Sequence, residues 1–313
     1  MIIIGDLLQS AVKVFGKKNP FGEQLAMSLF ERWAKAGYPY HYLKETMRAT
    51  KGLVTLSNHL FYDNNLISGP RTDLDHATRA MTVRWREHVK QKYPGLKDEP
   101  QGETYPVLIN ILGGRAEVET AGTSTFNLSF VAATIDVIKD AVEKGVAGYG
   151  DIGICTPYVA QVAIYFRTLK GMDSDWSKIR VGTIDHWQGK EVRFLVSDGV
   201  RAGNDQGNVG SMRDPKRINV WITRMQCVHV IVGDNTCTMP PQDDPRTAKK
   251  LNYANKHLIR LFDWLHQAGR VVDIHVANLP QSYIQFATTT GKTEDQETDD
   301  ISATPAPVGS GGW

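Results

Sequence analysis

Four short apolar runs constrain the fold of this chain more than any other feature. Each is four to six residues long, rich in Val and Ile, and lacks strict alternation with polar residues. In chain order they occupy residues 152–156, 179–184, 194–197 and 228–233. Such runs are typical of strands buried on both faces of a parallel sheet. Helical patterns at 159–169 and 215–224 lie between them, so the sequence predicts an α/β fold with a mainly parallel sheet flanked by helices.

Apolar spacing also predicts helices outside this strand–helix series. These helices are expected at residues 21–33, 129–143 and 251–268. After residue 279, Thr, Asp, Glu, Pro and Gly dominate, so a disordered tail is expected over 280–313.

Composition excludes several classes of protein. The 313 residues are 41% hydrophobic and 22% charged, as in ordinary globular domains. No apolar run reaches 18 residues, so neither a spanning helix nor a membrane partner is expected. The net charge of +2 does not decide for or against a nucleic-acid partner. The three cysteines show no CxxC spacing, which favours free thiols in a reducing compartment, nuclear or cytoplasmic, and predicts no metal site.

Polar residues accompany the buried strands in four stretches. They are IIIGDLLQ at 2–9, CTPYVAQ at 155–161, VGTIDHWQGKE at 181–191 and RDPKRINVWITR at 213–224. In open α/β sheets, ligands bind at the carboxyl ends of the strands. We therefore expect a ligand site at that edge, built from these four stretches.

Taken in order, these motifs resemble those of a known family. The patterns TPYxAQV, TIDxxQGKE, DPxRxNVxxTR and IVGD are similar to the second RecA-like motor domain of superfamily 1 helicases of the nonsense-mediated-decay and senataxin type. The resemblance covers about residues 1–236. It implies a first-domain remnant and linker helix at 1–45, a second RecA-like domain at 46–236 and a helical extension at 237–279.

The resemblance implies a nucleotide site. Arg48 and Arg224 would reach the γ-phosphate of ATP, and Gln9 would sense that phosphate or the attacking water. Gly189 and Glu191 would lie near the nucleotide, with Glu191 near the ribose. A planar, permanently charged guanidinium suits phosphate binding. The alternatives are a solvated surface charge for Arg48 and a structural ion pair for Arg224.

The resemblance also implies contacts with single-stranded RNA or DNA. Thr156, Tyr158, Gln161 and Thr183 would meet the nucleic-acid backbone, which hydroxyl and amide groups follow without reading bases. The residue types do not distinguish RNA from DNA.

The sequence departs from the family in ways that affect activity. It contains neither a GxxxxGK[ST] phosphate loop in usable context nor the DExx carboxylates, and GDxxQ begins at residue 5. We therefore expect an N-terminally truncated helicase that uses ATP and Mg²⁺ only with its missing first motor domain. Met47, Trp221 and Gln226 also differ from the usual family residues.

Three hypotheses remain open at this point. The first is the C-terminal motor half of an ATP-dependent helicase, which is inactive alone and which also allows other protein subunits as partners. The second is a non-catalytic module, derived from a helicase domain, that binds nucleic acid or protein. The third is a fragment with no independent function.

Overall fold

The computed structural model describes residues 4–9, 19–70, 76–120, 122–241, 243–283 and 285. Their strands are, in chain order, β1 (Glu45–Thr46), β2 (Ile67–Ser68), β3 (Val107–Leu112), β4 (Glu117–Val118), β5 (Thr125–Phe126), β6 (Ile152–Thr156), β7 (Arg180–Thr183), β8 (Val192–Asp198), β9 (Met225–Gly233) and β10 (Val271–His275). Six of them form a central sheet in the order β10-β3-β9-β8-β6-β7, with every neighbouring pair parallel. The predicted α/β fold, with a mainly parallel sheet, is confirmed.

Helices cover both faces of this sheet. They are α1 (Gly22–Ala26), α2 (Leu29–Lys35), α3 (Thr55–Phe61), α4 (His76–Lys92), α5 (Leu128–Glu143), α6 (Val159–Lys170), α7 (Ile184–Trp187), α8 (Pro215–Trp221), α9 (Pro245–Ala254) and α10 (Lys256–Gln267). One core cluster contains buried side chains of α4, α5 and α6, and a second contains those of α3, α7, α8 and α10. The sheet is therefore the middle of three layers.

The four predicted strands correspond to β6, β7, β8 and β9. Two further strands of the central sheet, β3 and β10, were not predicted. The β10 segment carries Asp273 and His275 and is only partly buried, so it lacks the continuous apolar pattern of its neighbours. It pairs with β3 at the edge of the sheet, where the Asn110 side chain donates to the Asp273 carboxylate at 2.7 Å.

Two predicted helices are interrupted by polar side chains. The helix expected at 251–268 is divided at Asn255, whose buried side-chain amide donates to the Gly207 carbonyl at 2.7 Å. The helix expected at 21–33 is divided before Leu29, because the Ser28 hydroxyl caps α2 by accepting from the Glu31 amide.

Two predictions concern residues that the structure does not fully describe. Of the tail expected over 280–313, only residues 280–283 and 285 are described, and the rest lies outside the described residues. Residues 2 and 3 of the expected amino-terminal strand also lie outside them. Within the described part of the chain, no helix is both long and apolar enough to cross a membrane.

Candidate nucleotide and nucleic-acid site

Arg224 lies immediately before β9, beyond the end of α8. Its side chain is 1% exposed, and its guanidinium donates to the Val220 carbonyl, the Thr223 hydroxyl and the Gln9 side-chain carbonyl, at 3.2, 2.8 and 3.0 Å. All three partners are uncharged, and among the described residues no carboxylate forms an ion pair with Arg224. The structure thus contains a buried cation whose charge is not neutralised, rather than the structural ion pair that was the alternative.

Arg48 and Glu191 lie beside this arginine. The Arg48 Nε donates to Glu191 Oε2 at 2.8 Å, and its Nη1 donates to the Thr223 carbonyl at 2.9 Å. The other Glu191 oxygen accepts from the Gln226 amide at 2.8 Å. Arg48 is therefore fixed against the segment that carries Arg224, although much of the Arg48–Glu191 pair remains exposed.

Burial, and after it the positive charge of Arg48, lowers the pKa of Arg224 to about 10. Two neighbouring cations that are partly removed from water favour the binding of an anion. The reason is that a phosphate oxygen can replace the water contacts that each guanidinium has lost. The residues present fit the polyphosphate group of a nucleotide.

The GDxxQ stretch packs onto the same place. Gln9 contacts Arg224, as above, and Gln9 also donates to the Asp6 carboxylate at 2.9 Å. The Tyr62 hydroxyl donates to Asp6 at 2.6 Å and accepts from the Asn219 amide at 2.8 Å. Gln9, Arg48, Glu191 and Arg224, which were predicted from separate motifs, therefore come together in one cluster.

Gly189 lies next to this cluster, in the turn between α7 and β8. Its φ of +78° is in the left-handed region, which glycine adopts without strain. The Lys190 amide that follows donates to the Trp187 carbonyl at 3.0 Å, which closes the turn. Gly189 thus directs the chain from α7 to Glu191.

The expectation of a single ligand edge is wrong. Glu191 and Arg224 come just before β8 and β9, at the amino-terminal edge of the sheet, where Val192 pairs with Met225. Thr156 and Thr183, which pair with each other, end β6 and β7 at the carboxyl edge. The reason is that the segments carrying Glu191 and Arg224 run from the carboxyl edge of the sheet back to its amino edge before they reach these two residues.

The predicted nucleic-acid residues differ in accessibility. Tyr158 and Thr183 are half-buried at the carboxyl edge. The Tyr158 hydroxyl accepts from the Arg201 guanidinium at 2.8 Å, and that guanidinium stands 4.8 Å from the Tyr158 ring centroid. The Thr183 hydroxyl accepts from the His186 amide and so begins α7. Both side chains border solvent at this edge.

Thr156 and Gln161 lie behind them in the interior. Both are fully buried, and the Gln161 side chain bonds to the Asn127 backbone and donates to the Asp198 carboxylate at 2.5 Å. The Thr156 hydroxyl has no hydrogen-bond partner within the part of the chain that is described. Direct contact of Thr156 or Gln161 with nucleic acid stays a prediction.

Three further residues, which were not assigned from the sequence, complete the cluster around Arg224: Tyr62, Asn219 and Thr223. Asn219 and Thr223 stand inside the DPxRxNVxxTR motif, so the motif already contained their signal. Tyr62 contacts Asp6 from 56 residues away, which no local pattern indicates. No set of three or more His, Cys, Asp or Glu able to hold a metal occurs in the described ranges.

This fold and site define a RecA-like motor domain of helicase type. The chain belongs to the AAA_12 family of AAA domains, which matches residues 25–236. The predicted membership of the helicases of the nonsense-mediated-decay group is thereby confirmed at the level of the family.

Relatives with curated names agree with this assignment. The chain is 28% identical over 236 residues to the putative regulator of nonsense transcripts 1 of Takifugu rubripes, covering 74% of this chain and 20% of that protein. It is 28% identical over 238 residues to the ATP-dependent helicase NAM7 of Saccharomyces cerevisiae, covering 75% and 23%. It is 26% identical over 249 residues to the putative helicase mov-10-B.1 of Danio rerio, covering 69% and 23%. The chain spans about a fifth of the length of these relatives.

Proposed function

We propose that this chain is the second motor domain of an ATP-dependent helicase, which moves along single-stranded RNA or DNA when it works with a phosphate-loop domain. The observation that carries the proposal is the buried, unneutralised guanidinium of Arg224 beside Arg48 and Gln9. A cation held in this way is prepared for an anion that arrives from outside the chain.

The residues of the cluster take distinct roles. Arg224 and Arg48 would bind the γ-phosphate and stabilise the negative charge that develops on its oxygens during transfer. Gln9 would orient a group at that phosphate, and Gly189 and Glu191 would border the rest of the nucleotide. ATP with its Mg²⁺ would supply the anhydride bond that is broken, and carboxylates of the phosphate-loop domain would hold the metal.

Single-strand binding belongs to the opposite edge of the sheet. Tyr158 and Thr183 border solvent there, and their polar groups suit contacts with a phosphate and sugar backbone. Thr156 and Gln161 would support this edge from behind. The three cysteines are free and buried, which supports a reducing compartment, the cytoplasm or the nucleus.

A second candidate is a non-catalytic module that binds nucleic acid or protein. The absence of a usable phosphate loop from the 313 residues favours it for the chain acting alone. Under both candidates the isolated chain hydrolyses no ATP, so the two differ only when a first motor domain is supplied.

The deciding experiment joins this chain to the phosphate-loop domain of a helicase relative. Phosphate release is then measured with single-stranded RNA and with single-stranded DNA. Arg224→Ala should lower turnover by about 10³–10⁵-fold while ATP binding stays within a few-fold, because the arginine acts in the transition state. Arg213→Gln, which removes an exposed charge from the same 213–224 stretch, is the control. More than a tenth of normal turnover in Arg224→Ala would contradict the proposal.

A further inference from the structure

The segment that forms α9 and the first half of α10, outside the cluster around Arg224, carries an unusual concentration of positive charge. Residues 245–262 contain five Lys or Arg and no Asp or Glu, whereas the whole chain has a net charge of only +2. On α9 and the first residue of α10, the exposed side chains recur at helical spacing. We call this set the basic helix face: Arg246, Lys249, Lys250, Tyr253 and Lys256.

The charges of this face are not used inside the protein. None of its four cations forms an ion pair with a carboxylate in the ranges that the structure describes. Elsewhere in the chain, exposed lysines do form such pairs, as Lys178 does with Asp175 at 2.6 Å. The Asp244 carboxylate at the start of α9 is engaged as its cap, accepting from the backbone amides of Arg246 and Thr247.

Tyr253 is an exposed aromatic ring within this face. Its side chain is 76% exposed, and Lys256 Nζ stands 5.2 Å from the ring centroid. The opposite side of α9 faces the protein, where Ala248, Leu251 and Ala254 are half-buried. Packing therefore does not explain why Tyr253 points outward.

The face lies beside the candidate nucleic-acid edge. Asn255 binds the Gly207 carbonyl, and a β-carbon at Gly207 would lie 3.2 Å from Leu251 Cδ1. Only two residues further on, the Val209 carbonyl lies 3.4 Å from the Tyr158 hydroxyl. Residues 207–210 thus connect α9 directly to Tyr158, at the carboxyl edge of the sheet.

We propose that the basic helix face binds single-stranded RNA or DNA and extends the strand path beyond Tyr158, with a base stacked on Tyr253. Cations spaced along a helix neutralise successive phosphates, and an exposed ring accepts any base. From Arg246 to Tyr253 the helix rises about 10 Å, a length comparable with roughly three stacked nucleotides. The inference rests on the proposed function, because it continues the strand path assigned there.

The first test is the salt dependence of binding by the full chain. Fluorescence anisotropy with labelled oligo(U) and oligo(dT) is measured over a salt series. Replacing the four cations of the face by Gln should weaken binding to both strands and reduce the slope of log K against log salt by about 2 to 3. The control removes an equal number of exposed charges elsewhere: Lys139, Lys144, Lys170 and Lys178 to Gln. An equal loss in the control would overturn the proposal.

The second test concerns the ring. Tyr253→Phe should bind like the unmodified chain, whereas Tyr253→Leu should bind about five-fold or more weakly, since only the latter lacks an aromatic face. Photo-crosslinking with 4-thiouridine-containing RNA and 4-thiothymidine-containing DNA should place a crosslinked base on Tyr253. Equal affinities for the Phe and Leu variants, with no crosslink on α9, would overturn the stacking assignment.

These measurements separate the two proposals. Binding that depends on Tyr158 and Thr183 but not on α9 would overturn the inference alone. Binding that depends on α9 but not on Tyr158 or Thr183 would overturn the strand site in the proposed function and keep the basic helix face. No binding to either strand would overturn both the inference and the strand site, whereas the nucleotide part of the proposed function is decided separately by the turnover of Arg224→Ala. Equally tight binding of poly-glutamate to α9 would identify a site for acidic proteins and contradict the inference.

Discussion

The Arg48 guanidinium donates to the Glu191 carboxylate across 143 residues of sequence, with 2.8 Å between Nε and Oε2. Both side chains are substantially exposed, at 32% and 46%. The pair joins the segment before α3 to the start of β8, and Arg48 also reaches the Thr223 carbonyl. The position of Arg48 therefore depends on two residues next to the buried Arg224.

We predict that Glu191→Gln leaves the free energy of unfolding within about 1 kcal/mol of the original value. Exposed ion pairs contribute little, because water and salt screen them. In the protein joined to a phosphate-loop domain, the same substitution should lower ATP turnover, because Arg48 loses its charged partner. Urea unfolding and phosphate release measure the two effects. A large loss of stability with normal turnover would show that the pair is structural.

We predict that Arg224→Met leaves the free energy of unfolding close to its original value, because the desolvation cost that is removed offsets the hydrogen bonds to Gln9, Val220 and Thr223 that are lost. A buried cation without a carboxylate costs free energy that an apolar side chain of similar length avoids. Urea unfolding should give a free energy within about 1 kcal/mol of the original value.

Arg217→Met is the matched comparison for that prediction. Arg217 is also buried, but it donates to both Asp185 oxygens at 2.9 and 2.8 Å. Its loss should cost about 1.5–3 kcal/mol, because charged hydrogen bonds are broken. If Arg224→Met were the more damaging change, Arg224 would hold the fold rather than await a ligand.

Two buried groups should oppose each other in the pH dependence of stability. Burial raises the pKa of Asp198 to about 6 from its usual 3.8, so the folded protein gains a proton there first as pH falls. Burial lowers the pKa of His229 to about 3 from its usual 6.5, so the unfolded chain gains a proton there first. As pH falls from 6 to 4, protonation of Asp198 in the folded protein raises the free energy of unfolding by about 1.4 kcal/mol per pH unit. Protonation of His229 in the unfolded chain lowers it by about the same amount.

Asp198→Asn should expose the contribution of His229. The stability of this variant relative to the unmodified chain should fall as pH drops from about 6 to about 4, at roughly 1.4 kcal/mol per unit. Urea unfolding at several pH values measures this difference. A difference that does not change with pH would mean that Asp198 titrates normally.

His229→Gln should give the opposite trend. Relative to the unmodified chain, its stability should rise as pH drops over the same interval, because Asp198 then acts without opposition. The same urea series serves as the measurement. If the stability of His229→Gln relative to the unmodified chain fell as pH drops, the buried, neutral state of His229 would be contradicted.

Gly153→Ala should destabilise the chain by about 1–3 kcal/mol through overpacking. A β-carbon at Gly153 in β6 would overlap the Trp187 ring, which is fully buried and donates its indole N–H to the Ile154 carbonyl at 2.9 Å. Thermal unfolding of a double-mutant cycle with Trp187→Phe checks the cause. The alanine should cost less in the Phe background, and equal costs would show that the ring is not the obstacle.

Local patterns were sufficient for part of this molecule and insufficient for another part. The strands β6 to β9 were predictable because apolar runs buried on both faces have few alternatives. The edge strand β10 was not predicted, because Asp273 interrupts its apolar pattern. The helix expected at 251–268 was predicted as continuous, because nothing local shows that Asn255 forms a tertiary hydrogen bond to Gly207. Interactions of that kind depend on the folded partner and leave no local signal.

The candidate site shows the same division. Arg48, Glu191 and Arg224 could be predicted from motif resemblance, but the 215-residue separation of Arg224 from Gln9 meant that only the structure could show them in contact. Which edge of the sheet each residue occupies was also beyond the motifs. The edge depends on how far residues 184–191 and 215–224 extend along the sheet, and the periodicity of apolar residues does not predict that distance.

The two edges are joined by continuous, well-packed stretches of chain. One begins at Thr183 and ends at Glu191, and the other begins at Asp214 and ends at Arg224. The seven residues of β8 span about 20 Å between the edges. Trp187 and Trp221 are buried within these stretches, so neither can shift alone without disturbing the close-packed core. Under the proposed function, each stretch connects the nucleotide site at one end to the single-stranded RNA or DNA at the other. A displacement of one end would therefore move the other end as well.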